Sequence, residues 1–139
     1  MKTESNQIPE KFVIENKSNN KCDIIFCDNI TEITENEETK YIYDMYRITI
    51  NARSNLEQIL QNEQEYKKWL ELARIEEYNK LAEEVRAKRD KLLADTDWTQ
   101  VTDSALTKEK QEKYKEYRQK LRDITKQEEF PYNVTFPSI

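Results

Sequence analysis

Not one of the 139 residues is glycine, and this absence constrains the fold more than any residue present. Glycine supplies the left-handed backbone of tight turns and the close approach that lets a loop cradle a phosphate. Gly-rich phosphate loops and dinucleotide-binding turns are thereby excluded. Where the chain must reverse sharply, asparagine has to take over, because its short polar side chain tolerates the left-handed region. Two stretches are placed to do so, Asn16-Lys17-Ser18-Asn19-Asn20 and Asn36-Glu37-Glu38.

On either side of these turns the residues are β-branched or aromatic: Phe12-Val13-Ile14, then Cys22 through Phe26 and Cys27, then Tyr41-Ile42-Tyr43 through Ile50. Such runs read as strands, and short links join antiparallel neighbours. A β meander or ribbon is therefore expected over residues 11–51, behind a polar, flexible leader at 1–10. Ile30-Thr31-Glu32-Ile33-Thr34 extends the second strand, and in the third Ile42, Tyr46, Ile48 and Ile50 share a face, with Asp44 the exception. A ribbon of this kind is barely stable alone, so it must lie on the helices, on another copy or on a partner.

Residues 54–125 read as a long antiparallel helical hairpin with its turn at 95–106. Ser54-Asn55-Leu56-Glu57 has the capping-box pattern, and from Leu56 to Leu93 there is no proline. Apolar residues follow three-and-four spacing with a lapse at Gln61-Asn62-Glu63-Gln64, which predicts a short helix followed by a long one. Thr107 is placed to cap the second arm, where Tyr114, Tyr117, Leu121 and Ile124 form one stripe. Residues 126–139 then alternate Phe130, Tyr132, Val134 and Phe136 with Pro131, Asn133, Thr135 and Pro137, the pattern of an extended tail whose even positions share a face. That tail packs back on the hairpin or docks to a partner by strand addition. The fold class expected is α+β: meander, helical hairpin, extended tail.

Charged residues are 37% of the chain and hydrophobic ones 36%, enough for one domain, or a small lobe plus a helical hairpin. The net charge of -5 argues against nucleic acid, whose binders carry a basic face. No run approaches the ~18 apolar residues of a membrane span, and Met1-Lys2-Thr3-Glu4-Ser5 opens nothing like a signal peptide, so no membrane partner is expected and a cytoplasm is the expected compartment. Asn-x-Thr/Ser patterns carry no meaning without a secretory route. Cys22 and Cys27, five apart on one strand, face opposite sides and read as ordinary thiols in a reducing compartment. Histidine is absent, which removes the commonest general base and metal ligand. No nucleophile has an identifiable base, so no catalytic residue, no cofactor and no metal site is assigned.

Two features carry an interaction. Thr96-Asp97-Trp98-Thr99-Gln100 puts the largest apolar side chain into a polar turn, where it either plugs the end of the helix pair or anchors a partner, tryptophan being enriched at interface hot spots. Arg86, Arg89, Asp90, Arg118, Arg122 and Asp123 gather near that turn as structural ion pairs or as a surface for an acidic partner.

Taken together, Arg86-x-x-Arg89-Asp90-x-Leu92-Leu93, the Thr96–Gln100 turn, Tyr117-Arg118-Gln119-x-Leu121-Arg122-Asp123-Ile124 and Phe130-Pro131-x-x-Val134-x-Phe136-Pro137 resemble, over about residues 80–137, the tail assembly chaperone family of tailed bacteriophages and prophages. The family commonly carries proline where Thr102 and Ser104 stand and tryptophan where Phe136 stands. The resemblance implies a non-enzymatic helper that binds a tail-fibre or other tail protein in the host cytoplasm and shields its association surface before assembly. Its alternative is a minor structural subunit retained in the virion tail, fibre or baseplate. Partner-binding residues are then expected among Trp98, Asp97, Gln100, Arg118, Arg122, Phe130, Tyr132, Val134 and Phe136, and a homo-oligomer is left open.

Overall fold

A computed structural model describes residues 1–139. It divides the chain into two compact units, Met1–Glu77 and Tyr78–Ile139.

The first unit is built on four antiparallel strands: β1 (Lys2–Ser5), β2 (Phe12–Asn16), β3 (Lys21–Glu35) and β4 (Glu38–Asn51), in the order β1-β4-β3-β2. Asparagine stands in for glycine at the turns. Asn19 and Asn20 lie at φ 61° and 54° between β2 and β3, and Asn36 at φ 52°, with Glu37 at 67°, closes the β3–β4 hairpin. A fourth asparagine, Asn29 at φ 52°, sits where the β3–β4 register shifts between Asp28 and Thr31. Its side-chain amide donates to the Asp44 carboxylate at 2.9 Å, which gives a partner to the polar residue that interrupts the Ile42, Tyr46, Ile48 and Ile50 face of β4.

Cys22, Ile24 and Phe26 of β3 with Ile48 of β4 form one apolar face, and α1 (Leu56–Leu60) and the first part of α2 (Glu63–Asp95) cover it with Leu56, Leu60, Tyr66, Leu70 and Ala73. Fully buried side chains such as Ile24 and Phe26 are each worth ~2–3 kcal/mol in area removed from water. Cys22 and Cys27 are both buried and free. The helical break falls at Asn62, whose side-chain oxygen accepts from the Gln64 and Glu65 amides and so starts α2. Ser54 does not cap α1: the N-cap is Asn55, without a side-chain hydrogen bond.

The reverse face of the sheet carries a buried carboxylate. Asp23, fully shielded from solvent, accepts from Thr49 Oγ1 at 2.6 Å and Arg47 Nη1 at 2.5 Å and pairs with Lys17 Nζ at 2.9 Å. Burial pushes its carboxyl up, but the bonds from Thr49, Lys17 and Arg47 outweigh burial and hold it at about 2, below the usual 3.8. Because the folded value is the depressed one, the stabilisation is complete above pH ~4 and drains away as pH falls from about 4 to about 2. Lys17 and Arg47 are half exposed, which limits the contribution to ~1–2 kcal/mol. The difference in urea stability between wild type and Asp23→Asn is therefore expected to shrink by that amount between pH 5 and pH 2.5. A difference unchanged by pH would show that the network contributes no such term.

The second unit holds the remainder of α2, a 3-10 turn at Asp97–Gln100, α3 (Lys108–Arg122), a second 3-10 turn at Ile124–Lys126 and the tail. Thr107 caps α3 as expected, accepting from the Lys110 amide at 3.3 Å. The α3 stripe is the buried one: Leu121 and Ile124 are fully enclosed and Tyr114 and Tyr117 half so. No helix of the chain is long and apolar enough to cross a membrane.

The architecture is α+β, but three expected parts of it are corrected. The sheet has four strands, because part of the supposed leader at 1–10 is β1, paired to β4 from Lys2↔Asp44 to Ser5↔Tyr41. Its residues are polar, and it joins through main-chain groups that any sequence possesses. The long helical hairpin over 54–125 is not formed. The chain spends 33 residues on α2 and only 15 on α3, roughly 50 Å against 22 Å at 1.5 Å per residue. The first part of α2 is committed to the sheet through Tyr66, Leu70 and Ala73, while Ala82 is buried in the second unit. The tail is not uniformly extended either, since residues 128–133 form turns and a bend and only 134–139 run on without them.

Candidate partner-binding site

The last carbonyls of α2 need partners, and α2 has no basic residue in its own last turn. Thr96 and Arg118 supply them. Thr96 Oγ1 donates to the Leu92 and Leu93 carbonyls at 2.8 and 3.1 Å. Arg118, on α3 and only 7% exposed, donates through Nη1 to the Leu93 carbonyl at 2.6 Å and to Thr96 Oγ1 at 2.8 Å, and through Nη2 to Asp97 Oδ1 at 2.6 Å. A guanidinium at a helix C-terminus also meets the negative end of the macrodipole. Arg118 is therefore an internal brace, and its Asp97 partner is mostly exposed.

The turn hangs on this brace. Thr99 is its fully buried residue, its hydroxyl donating to the Thr96 carbonyl at 2.6 Å. From α3, Gln111 Nε2 donates to the Thr99 and Val101 carbonyls at 3.3 and 3.4 Å, and Gln100 Nε2 returns a bond to the Gln111 carbonyl at 3.3 Å. Trp98 is thus not the plug. Its indole is 53% exposed, while Nε1 donates to the Asp95 carbonyl at 3.1 Å and the ring rests on Tyr114 at a centroid distance of 6.1 Å. Val101, three residues on, is 47% exposed. The turn presents apolar surface on a backbone bonded to side chains of α3.

The other expected residues fall into two groups. Asp97, Gln100 and Arg118 belong to the scaffold of the Trp98 turn, whereas Arg122 is exposed on the last turn of α3. Arg86 does not pair with Asp90; Arg89 does, at 2.7 Å, and Arg86 lies over the Phe130 ring at 5.5 Å. Phe130, Val134 and Phe136 are half-buried and Tyr132 is 57% exposed, so the tail folds back within its own unit. Phe130 and Tyr132 both meet Tyr78 edge-on, at 6.3 and 6.2 Å.

Periodicity pointed to Tyr114 and Tyr78 only as apolar members of their helices, Thr99 entered only as part of the turn, and nothing in the sequence singled out Gln111. A polar side chain that bonds to backbone eleven or twelve residues away leaves no local signature. In the first unit a cleft of about 790 Å³ is lined by Tyr66, Leu70 and Ile30 with Lys11, Lys67 and Arg74, but its cations are already engaged, Lys11 over the Tyr66 ring, Arg74 with Asp28 and Lys67 with Glu63.

Residues 82–139 match the model of a family described as phage tail assembly chaperone protein. No curated protein and no solved structure matches the chain. The matched segment takes in the end of α2, the Trp98 turn, α3 and the tail; the sheet lies outside it.

Proposed function

We propose, from the premise that residues 82–139 belong to the phage tail assembly chaperone family, that the whole chain is a non-enzymatic chaperone. It binds a tail-fibre or other tail protein through the Trp98 turn and covers its association surface until assembly. The observation that carries this reading is a tryptophan more than half exposed yet fixed by a hydrogen bond and a ring contact. Tryptophans of that kind dominate interfaces because they bury a large area without a large ordering cost. Keeping apolar surface and strand edges of a fibrous client covered limits premature association.

An affinity pull-down of tagged protein from phage-producing cells, with mass spectrometry of the eluate and of finished particles, tests this. A tail or fibre protein in the eluate and none of this chain in the particles is the expected result. The chain found in particles at a fixed ratio would make it a structural subunit instead and overturn the chaperone reading.

A further inference from the structure

We propose that the β2 edge of the sheet is a self-association surface and that its occupant is a second copy of this chain, paired antiparallel through β2 about a twofold axis at Val13. This pairing is independent of the chaperone reading.

Both edges of the sheet are short strands, but they are guarded differently. β1 carries Lys2 and Glu4, and charge on an edge strand discourages further pairing. The centre of β2 is Phe12-Val13-Ile14, which pairs with β3 without a bulge or a proline. Val13 is 38% exposed, and Phe12 and Ile14 are only half-buried against the core. The phase of the ladder fixes which main-chain groups are left over. The Cys27 amide donates to the Lys11 carbonyl and the Lys17 amide to the Lys21 carbonyl, so the odd residues of this stretch turn their peptide groups toward β3. By the alternation of an antiparallel pair, those of Phe12, Ile14 and Asn16 point outward, where the sheet has no further strand.

Only the even residues can therefore bond across a seam between two copies, which leaves few registers. With Phe12 opposite the second copy's Ile14, and Ile14 opposite its Phe12, each pair exchanges both amide bonds. Val13 then meets Val13 on the axis, and each Lys11 faces a Glu15. Both charged side chains are exposed, and opposite charges directly across a strand pair attract. Moving the axis to Ile14 sets Lys11 opposite Lys17; moving it to Phe12 sets Lys11 opposite Val13 and Glu15 opposite Pro9. The ion pairs are lost either way. The other unpaired stretches lack this self-match. β3 beyond Ile30 carries Glu32 and Glu35, and along β4 Arg47, Thr49 and Asn51 are already bonded through their side chains to Asp23 and Lys21.

Sedimentation velocity of the full-length protein, from low micromolar to sub-millimolar concentration, is expected to show a reversible monomer–dimer equilibrium. Glu15→Lys and Lys11→Glu should each weaken the dimer about tenfold or more, because the twofold turns one substitution into two repulsive pairs. The double variant should restore most of that loss, since it exchanges the charges. Lys11 also lies over Tyr66, and Glu15 lies 3.5 Å from Arg47, so a second measurement leaves both in place. In Val13→Cys the two Cα atoms on the axis would be about 4.5 Å apart, within disulfide reach, and mild oxidation should link the dimer. Glu15→Cys, off the axis, and wild type, whose own cysteines are buried, should not link. If a charge variant loses its circular dichroism signal, the cross-link decides. A trimer, a dimer indifferent to the charge variants, or linking by Val13→Cys no greater than by Glu15→Cys would overturn the pairing. A monomer at every concentration would overturn the second copy as occupant and leave the edge to a strand of another protein.

Discussion

Arg118→Met is expected to cost ~2–3 kcal/mol in the stability of the second unit, although methionine fills much of the same volume. The loss comes from two charge-assisted bonds in a part-buried setting, to the Leu93 carbonyl and the Thr96 hydroxyl; the Leu93 carbonyl keeps only the longer bonds from Thr96. Asp97 adds little, because it is mostly exposed and turns to water. Arg118→Lys should recover less than half, since an ammonium holds its three donors on one atom and cannot span Leu93, Thr96 and Asp97 as the two nitrogens of the planar guanidinium do. Urea denaturation followed by tryptophan fluorescence in a Trp69→Phe background reads this unit alone, Trp98 being the other tryptophan. A loss below ~0.5 kcal/mol, the size of an ordinary surface change, would mean that the brace is not structural.

Trp98→Ala is expected to reduce capture of the tail protein by about thirtyfold or more, the ~2 kcal/mol that marks an interface hot spot, while helix content stays at the wild-type value. The two expectations separate because different residues carry them. The turn is held by Thr96, Thr99, Gln111 and Arg118, and removing the indole gives up one exposed bond to Asp95 and one ring contact with Tyr114. Undiminished capture would remove Trp98 from the interface. A fall in circular dichroism at 222 nm with the loss of capture would mean that the indole supports the turn after all.

How far these features could be read in advance depends on the range of the interactions behind them. The Thr107 cap, the break at Asn62 and the buried stripe through Leu121 and Ile124 arise from residues within a few positions of one another, and their spacing displayed them. The Ser54 capping box failed because the chain enters α1 one residue later, at Asn55. Among the site residues, Trp98 stood out by type and setting, while Arg118 read as a structural ion pair or as a surface for an acidic partner, with nothing to show its bond to the Leu93 carbonyl. Its burial follows from the docking of α3 against the end of α2, twenty-five residues away from Leu93.

The sequence alone determined where the chain turns and which segments become strand or helix in β2 to β4 and α3. With no glycine, asparagine is the residue best suited to left-handed backbone, and Asn19, Asn20, Asn29 and Asn36 take it, with Glu37 beside Asn36 the one other residue there. Tertiary structure alone decided that polar residues 2–5 join the sheet, that α2 is shared between two units, and that Thr99 goes inside while Trp98 stays out. Local propensity and periodicity act over one or two turns of chain, whereas backbone pairing at a sheet edge and hydrogen bonds between distant elements depend on which surfaces finally meet.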